Sequence, residues 1–173
     1  MAQTARLDLP VVQTVLDECI RYLDPEFLQA VSIFRHQGDE DAVQQCLTEI
    51  MKGNTACVAS LSDHNVVATV LKRVVALLSA PIFSDSVYEQ MKATHAITNK
   101  KERTERTIPL IGSLPAATSN LLSRLFTLLH GVASLSEQNK MNSYLLGVIF
   151  AQALFPRKTV EETLADQKSV PFV

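Results

Sequence analysis

The chain has 173 residues, 47% hydrophobic and 20% charged, which is enough apolar material for one buried core and too much for a disordered or fibrous chain. Sixteen Lys and Arg against eighteen Asp and Glu give a formal net charge of -2, which excludes a global basic field for nucleic acid or for an anionic membrane. Any electrostatic partner must be met locally.

The opening "MAQTARLDLP" reaches Arg6, Asp8 and Pro10 before any long apolar run, unlike a signal peptide. In "LPVVQTVLDECIRYL" the residues Val12, Val15, Leu16, Cys19, Ile20 and Leu23 recur at three and four and predict one buried helical face. A second helix is expected after Asp39 and Glu40, whose acidic side chains suit a helix N-terminus. It carries Val43, Cys46, Leu47, Ile50 and Met51, with Gly53 as its stop. A third, from about Asp63 to Leu78, runs through Val67, Val70, Leu71 and Val74 and must end before Pro81. The segment "SDSVYEQMKATHAI" offers a short fourth helix. The charged "TNKKERTERT", residues 98–107, has no apolar face and is expected as an exposed mobile loop; Glu102 and Glu105 interrupt its cations.

Pro115 is expected to open a long amphipathic helix through Leu121, Leu122, Leu125, Leu128, Leu129 and Val132. Ser136 is expected to cap the next segment, "EQNKMNSYLLGVIFAQALF", whose second half is apolar nearly all round and so belongs in the core. Its most apolar part, residues 145–155, is too short to span a bilayer, so no integral membrane segment is expected. No alternating strand pattern competes. The expected architecture is an all-α bundle in a single domain over residues 1–173.

The three cysteines, Cys19, Cys46 and Cys57, lack CxxC spacing and a histidine at ligand distance, and read as small buried hydrophobes or free thiols in a reducing, cytoplasmic compartment. His36, His64, His95 and His130 are scattered, so no metal site is expected. There is no Gly-rich phosphate loop, GxSxG elbow or HExxH pair, hence no self-contained catalytic site. What stands out is Arg35, after Ile33 and Phe34, which would anchor the segment, and before Gly38, which permits a close approach to the next helix. Spacing leaves two readings open. Arg35 caps a helix end or pairs with Asp39 or Glu40, or it points outward from an anchored loop.

The stretch "SIFRHQGDEDAVQQCLTEIMKGN" resembles the G-I-F-R-x-S-G segment and following helix of the Rho-family GTPase-activating (RhoGAP) domain. Further blocks resemble the family in order. "LPVVQTVLDECIRYL" is similar to its L-P-x-x-x-x-x-C-I helix, and "VLKRVVALLSAPIFSDSVY" to its L-L-K-x-x-L-R-E-L-P-E-P-L segment. "LPAATSNLLSRLFTLLHGV" resembles its L-P-x-x-N-x-x-x-L helix, and "SEQNKMNSYLLGVIFAQALF" its N-K-M-x-x-x-N-L-A-x-x-F-G-P-x-L helix.

The resemblance implies a RhoGAP-like bundle that binds a Rho-, Rac- or Cdc42-type small GTPase and stimulates its GTP hydrolysis. Arg35 matches the arginine that the family supplies in trans, an effect on the order of 10³ to 10⁵ in rate. Lys72 matches the lysine that supports that loop, and Asn139, Lys140 and Met141 match residues near the docking face, expected to bind the GTPase or support the finger. GTP and magnesium would be carried by the partner; no cofactor of the chain's own and no nucleic acid is implied. The chain departs from the pattern at several positions. Ser32 stands for the opening glycine, Ala76 for a bracing arginine, Ser79 for a proline, Leu145 for an asparagine, and Ala151 with Gln152 for Gly-Pro. The departures leave a second expectation standing, a noncatalytic RhoGAP-like module that binds a GTPase or another signalling protein without accelerating hydrolysis. The ending "SVPFV" falls where the family begins a final helix, so an excised domain of a longer protein is expected.

Overall fold

Periodic apolar positions become one interior. The computed structural model describes residues 6–155, and in it helix α1 (Leu9–Leu23) buries Val12, Val15, Leu16, Cys19 and Leu23. Pro10 sits in its first turn, where a missing N–H costs nothing. A long connection leads to α2 (Glu40–Met51), which Asp39 opens by accepting from the backbone N–H of Ala42 at 2.9 Å. Gly53 ends it with a φ of 92°. A short 3₁₀ helix (Thr55–Ser60) follows, then α3 (His64–Ala76), capped by Asp63 through the N–H of Asn65.

Helix α3 is the centre of the bundle. It buries Val66, Val67, Ala68, Thr69, Val70, Leu71, Val74 and Val75, and packs against α1, α2 and α8 (Ser143–Leu154). Helix α6 (Ala116–Ser134) closes the core from the other side with the six residues expected, Leu121, Leu122, Leu125, Leu128, Leu129 and Val132. Among the described residues the β-type pairing is a single parallel bridge between Leu7 and Leu78. It ties the start of the chain to the end of α3 through Leu7 N–H to Leu77 O and Ser79 N–H to Leu7 O, both 2.8 Å.

Two expectations are corrected. Residues 98–107 are not a loop, because α4 (Asp85–His95) is followed by α5 (Lys100–Gly112). Asn99 caps α5 by accepting from Glu102 N–H at 3.1 Å. Lys101 with Glu105 at 3.9 Å and Glu102 with Arg106 at 3.6 Å then pair one turn apart. The helix forms with its N-terminus capped, weak pairs of opposite charge one turn apart, and packing along α4, where Ile111 in its second half is partly buried. The segment after Ser136 is likewise two helices rather than one. A four-residue α7 (Ser136–Asn139) ends at Lys140, which adopts the left-handed conformation (φ 62°), and Asn142 starts α8 by capping Leu145 N–H at 3.0 Å. Ser136 is therefore the first residue of α7, not a cap. The expectation about the chain's final segment concerns residues outside those described.

Candidate functional site

The connection between α1 and α2 carries Arg35. Ile33 and Phe34 are wholly buried, and the Phe34 ring meets Phe150 of α8 edge-on at 5.1 Å. Ser32 and Phe34 both have positive φ, 58° and 68°, a region that costs a side-chain-bearing residue on the order of 1–3 kcal/mol. That strain persists because the surroundings hold it. Ser32 N–H donates to Asn139 O at 2.7 Å, and Lys72 Nζ donates to Phe34 O at 2.6 Å. Gly38 N–H donates to Thr69 Oγ1 at 3.1 Å. The close approach expected at Gly38 is real, but the neighbour is α3 rather than α2. A Cβ there would lie 2.4 Å from the backbone N and Cα of Val66.

With its backbone so fastened, the loop presents Arg35 to solvent. Its N–H bonds to Ser32 O at 2.9 Å, while among the described residues nothing accepts from its guanidinium. Both carboxylates that spacing offered it are engaged elsewhere. Asp39 caps α2, and Glu40 accepts two bonds from Arg73, at 2.7 and 2.6 Å. Arg73 holds the Glu40 carboxyl down to about 2 through those hydrogen bonds, with help from Gln44. Lys72 is half-buried, and burial followed by the repulsion of Arg73 pushes its ammonium below its ordinary value.

The remaining candidates separate. Asn139 and Met141 are wholly buried. The Asn139 amide donates to Leu28 O at 2.8 Å and Val132 O at 2.7 Å, and its Oδ1 accepts from Met141 N–H at 2.7 Å. Both residues are buried and present no surface to a partner, and Asn139 holds the α1–α2 connection at Leu28 and Ser32. Lys140 alone of the three is exposed, with its Nζ on Glu137 O at 2.5 Å.

The altered positions also find their places. Ala76 closes α3, and its carbonyl accepts from Arg6 Nη1 at 3.2 Å. Ser79 uses an N–H that proline lacks, donating it to Leu7 O. Leu145, which stands for the asparagine, is half-buried against the core. Ala151 and Gln152 let α8 run unbroken to Leu154. Sequence reasoning missed Thr69 and Arg73. Both were within reach of it, since Thr69, Lys72 and Arg73 stand at i, i+3 and i+4 on one face of α3. No cluster of three or more His, Cys, Asp or Glu able to hold a metal occurs among the described residues. No helix there is long and apolar enough to cross a membrane.

A family model described as the RhoGAP domain matches residues 14–159. Human Rho GTPase-activating protein 4 is 30% identical over 161 residues, which is 92% of this chain and 17% of that protein. Human SLIT-ROBO Rho GTPase-activating protein 1 is 26% identical over 162 residues, 92% of this chain and 15% of that protein. The chain thus spans less than a fifth of the length of these curated relatives. Among solved structures, the BH domain from Graf, the GTPase regulator associated with focal adhesion kinase, superposes with a TM-score of 0.81 at 23% identity, covering 94% of this chain and 88% of that one. Human Rho GTPase activating protein 15 superposes with a TM-score of 0.72 at 20% identity, covering 88% and 75%. The structural likeness carries the all-α fold, and the family model reaches from within α1 to beyond α8, so this chain belongs to the RhoGAP domain family.

Proposed function

We propose that this domain binds the GTP-loaded form of a Rho-type small GTPase and stimulates hydrolysis by inserting Arg35 into the partner's nucleotide site. The observation that carries the reading is the contrast between a loop bonded at Ser32, Phe34 and Gly38 and a guanidinium in its middle that is exposed and unpartnered among the described residues. Charge grows on the transferred phosphoryl group and leaving oxygen during hydrolysis, and a guanidinium delivered there compensates it. A fastened loop has already given up the backbone freedom that docking would otherwise have to remove. GTP and magnesium belong to the partner, and the domain adds no cofactor. The encounter is a cytoplasmic one, with a Rho-, Rac- or Cdc42-type protein.

The test is single-turnover GTP hydrolysis by a panel of such GTPases, with the domain and with Arg35→Ala, beside binding to their GTP-analogue forms. Acceleration by the intact domain, an effect on the order of 10³ to 10⁵ for a full arginine contribution, should vanish in Arg35→Ala while binding persists. A second reading, a module that binds without accelerating, draws on Ala76 and Leu145, which set no polar side chain where the family has arginine and asparagine. Binding with no acceleration by any panel member would select it.

A further inference from the structure

The loop that carries Arg35 ends at Glu40, the first residue of α2, and that end is held by a group so far given no part in the function. Arg73 Nη1 donates to Glu40 Oε1 at 2.7 Å and Nη2 to Oε2 at 2.6 Å, so both nitrogens of the fork and both oxygens of the carboxylate are used. Gln44 Nε2, one turn further along α2, donates to the same Oε1 at 2.8 Å and sets the rotamer of Glu40. Asp39 beside it is committed to the Ala42 N–H. Arg73 is thus tied to the first turn of the helix into which the loop feeds.

The positions along α3 make the arrangement a clamp. Lys72 grips the carbonyl of Phe34, one residue before Arg35; Thr69 grips Gly38; Arg73 grips Glu40. Three side chains on one rigid, buried helix therefore take the middle, the exit and the end of a single loop. The first two hold backbone atoms. The third is a two-pronged, planar contact that fixes the direction of approach as well as the distance, because a bidentate pair tolerates little rotation. The ionised side chains are 31% exposed for Arg73 and 55% for Glu40, so the pair adds little to global stability and its strength falls with salt. What the bidentate geometry constrains is the orientation of the loop's end relative to α3.

We propose that the Arg73–Glu40 pair is a positioning element for Arg35, holding the exit of the loop so that the guanidinium meets a bound GTPase in a narrow range of directions. The proposal rests on the reading of Arg35 given above. Neither Arg73 nor Glu40 reaches the reacting atoms; both act through the loop between them and Arg35.

Two readouts on the same proteins separate this proposal from the reading beneath it. The first is hydrogen–deuterium exchange across residues 32–40 in the unaltered domain, Arg73→Ala, Glu40→Gln and the double variant. Each single change should raise loop exchange about two- to fivefold, the range an exposed ion pair reaches. The double variant should do no more than the larger single one, with the thermal midpoint and the exchange of α1, α3 and α6 unmoved. The second is single-turnover hydrolysis as a function of domain concentration. Here the saturating rate should fall by a similar factor in both single variants, the half-saturating concentration should hold, and high salt should lower the unaltered domain towards them. Loop exchange that ignores both substitutions, or single effects that simply add, would overturn the proposal whatever hydrolysis does. A loop that loosens while the saturating rate holds would overturn it too. If loop exchange responds as expected but the unaltered domain accelerates no GTPase, the pair's hold on the loop stands and the reading of Arg35 falls.

Discussion

At position 38 there is room for a hydrogen and nothing more, since the Val66 backbone lies 2.4 Å from where a Cβ would sit. The same economy governs Asn139, whose side chain joins the carbonyls of Leu28 and Val132 to the N–H of Met141 while its own carbonyl takes the N–H of Ser32. Asn139→Ala leaves the Leu28 carbonyl and the Met141 N–H without partners, since the Val132 carbonyl keeps its bond from Leu135 N–H, and should cost about 2–4 kcal/mol in urea unfolding and loosen the Arg35 loop as well. Met141, equally buried, is a packing residue, and its neighbour Lys140 should tolerate alanine. The Glu40 carboxyl provides a test by titration. Its value in the fold, about 2, lies below its ordinary 4.5, so its contribution is complete above about pH 4.5 and is lost as pH falls towards 2. The Arg73 contact should therefore be constant between about pH 5 and 8. A carbon-13 NMR titration of Glu40 should find the low midpoint, and Arg73→Ala should return it towards 4.5.

At the scale of elements, the helices differ in what holds them. The faces of α1, α2, α3 and α6 were legible because each repeats apolar residues at helical spacing and is bounded by local signals such as Asp39, Asp63 and Pro115. Helix α5 was not legible, since residues 98–107 carry no apolar periodicity and the helix is placed by the Asn99 cap and by packing along α4, with Ile111 partly buried. The break at Lys140 was missed for a different reason. A non-glycine residue in the left-handed region carries no sequence mark, and here the buried Asn139 network beside it fixes the turn. Neither α4 nor α5 contains a buried residue, and Ile108 on α5 is 62% exposed. Their amides should reach half exchange at least about tenfold sooner than those of α1 and α3 under the same conditions. Equal protection across all four would show that the hairpin opens only with the core.

Among the described residues the core is one continuous cluster from Leu7 to Leu154, and the cysteines report on it from three depths. Cys19 is wholly buried and its thiol is pushed far above its ordinary value, chiefly by burial. Cys46 is pushed up to about 12 by burial and by its contact with Cys57, whose sulfur lies 3.0 Å away and is half-buried. A thiol reagent applied near pH 8 should modify Cys57 first, and Cys19 and Cys46 at comparable rates only in denaturant. Native labelling of Cys19 at the rate of Cys57 would mean that the bundle opens as a unit far more often than its packing implies.

The sequence by itself determined that the chain is all-α, where most helices start, and that Arg35 and Lys72 stand in a family motif, because periodicity, caps and motifs are relations between near neighbours. Only the tertiary structure decided what surrounds Arg35. The carboxylates at Asp39 and Glu40 looked available from spacing, and one was taken by the helix it caps and the other by Arg73 on a different helix. Asn139 and Met141, expected near the docking face, are buried in the fold, Asn139 bonded to the loop at Ser32. Pairings between residues 33 and 38 positions apart, such as Arg73 with Glu40 and Lys72 with Phe34, depend on how helices pack, and a linear pattern contains no term for that.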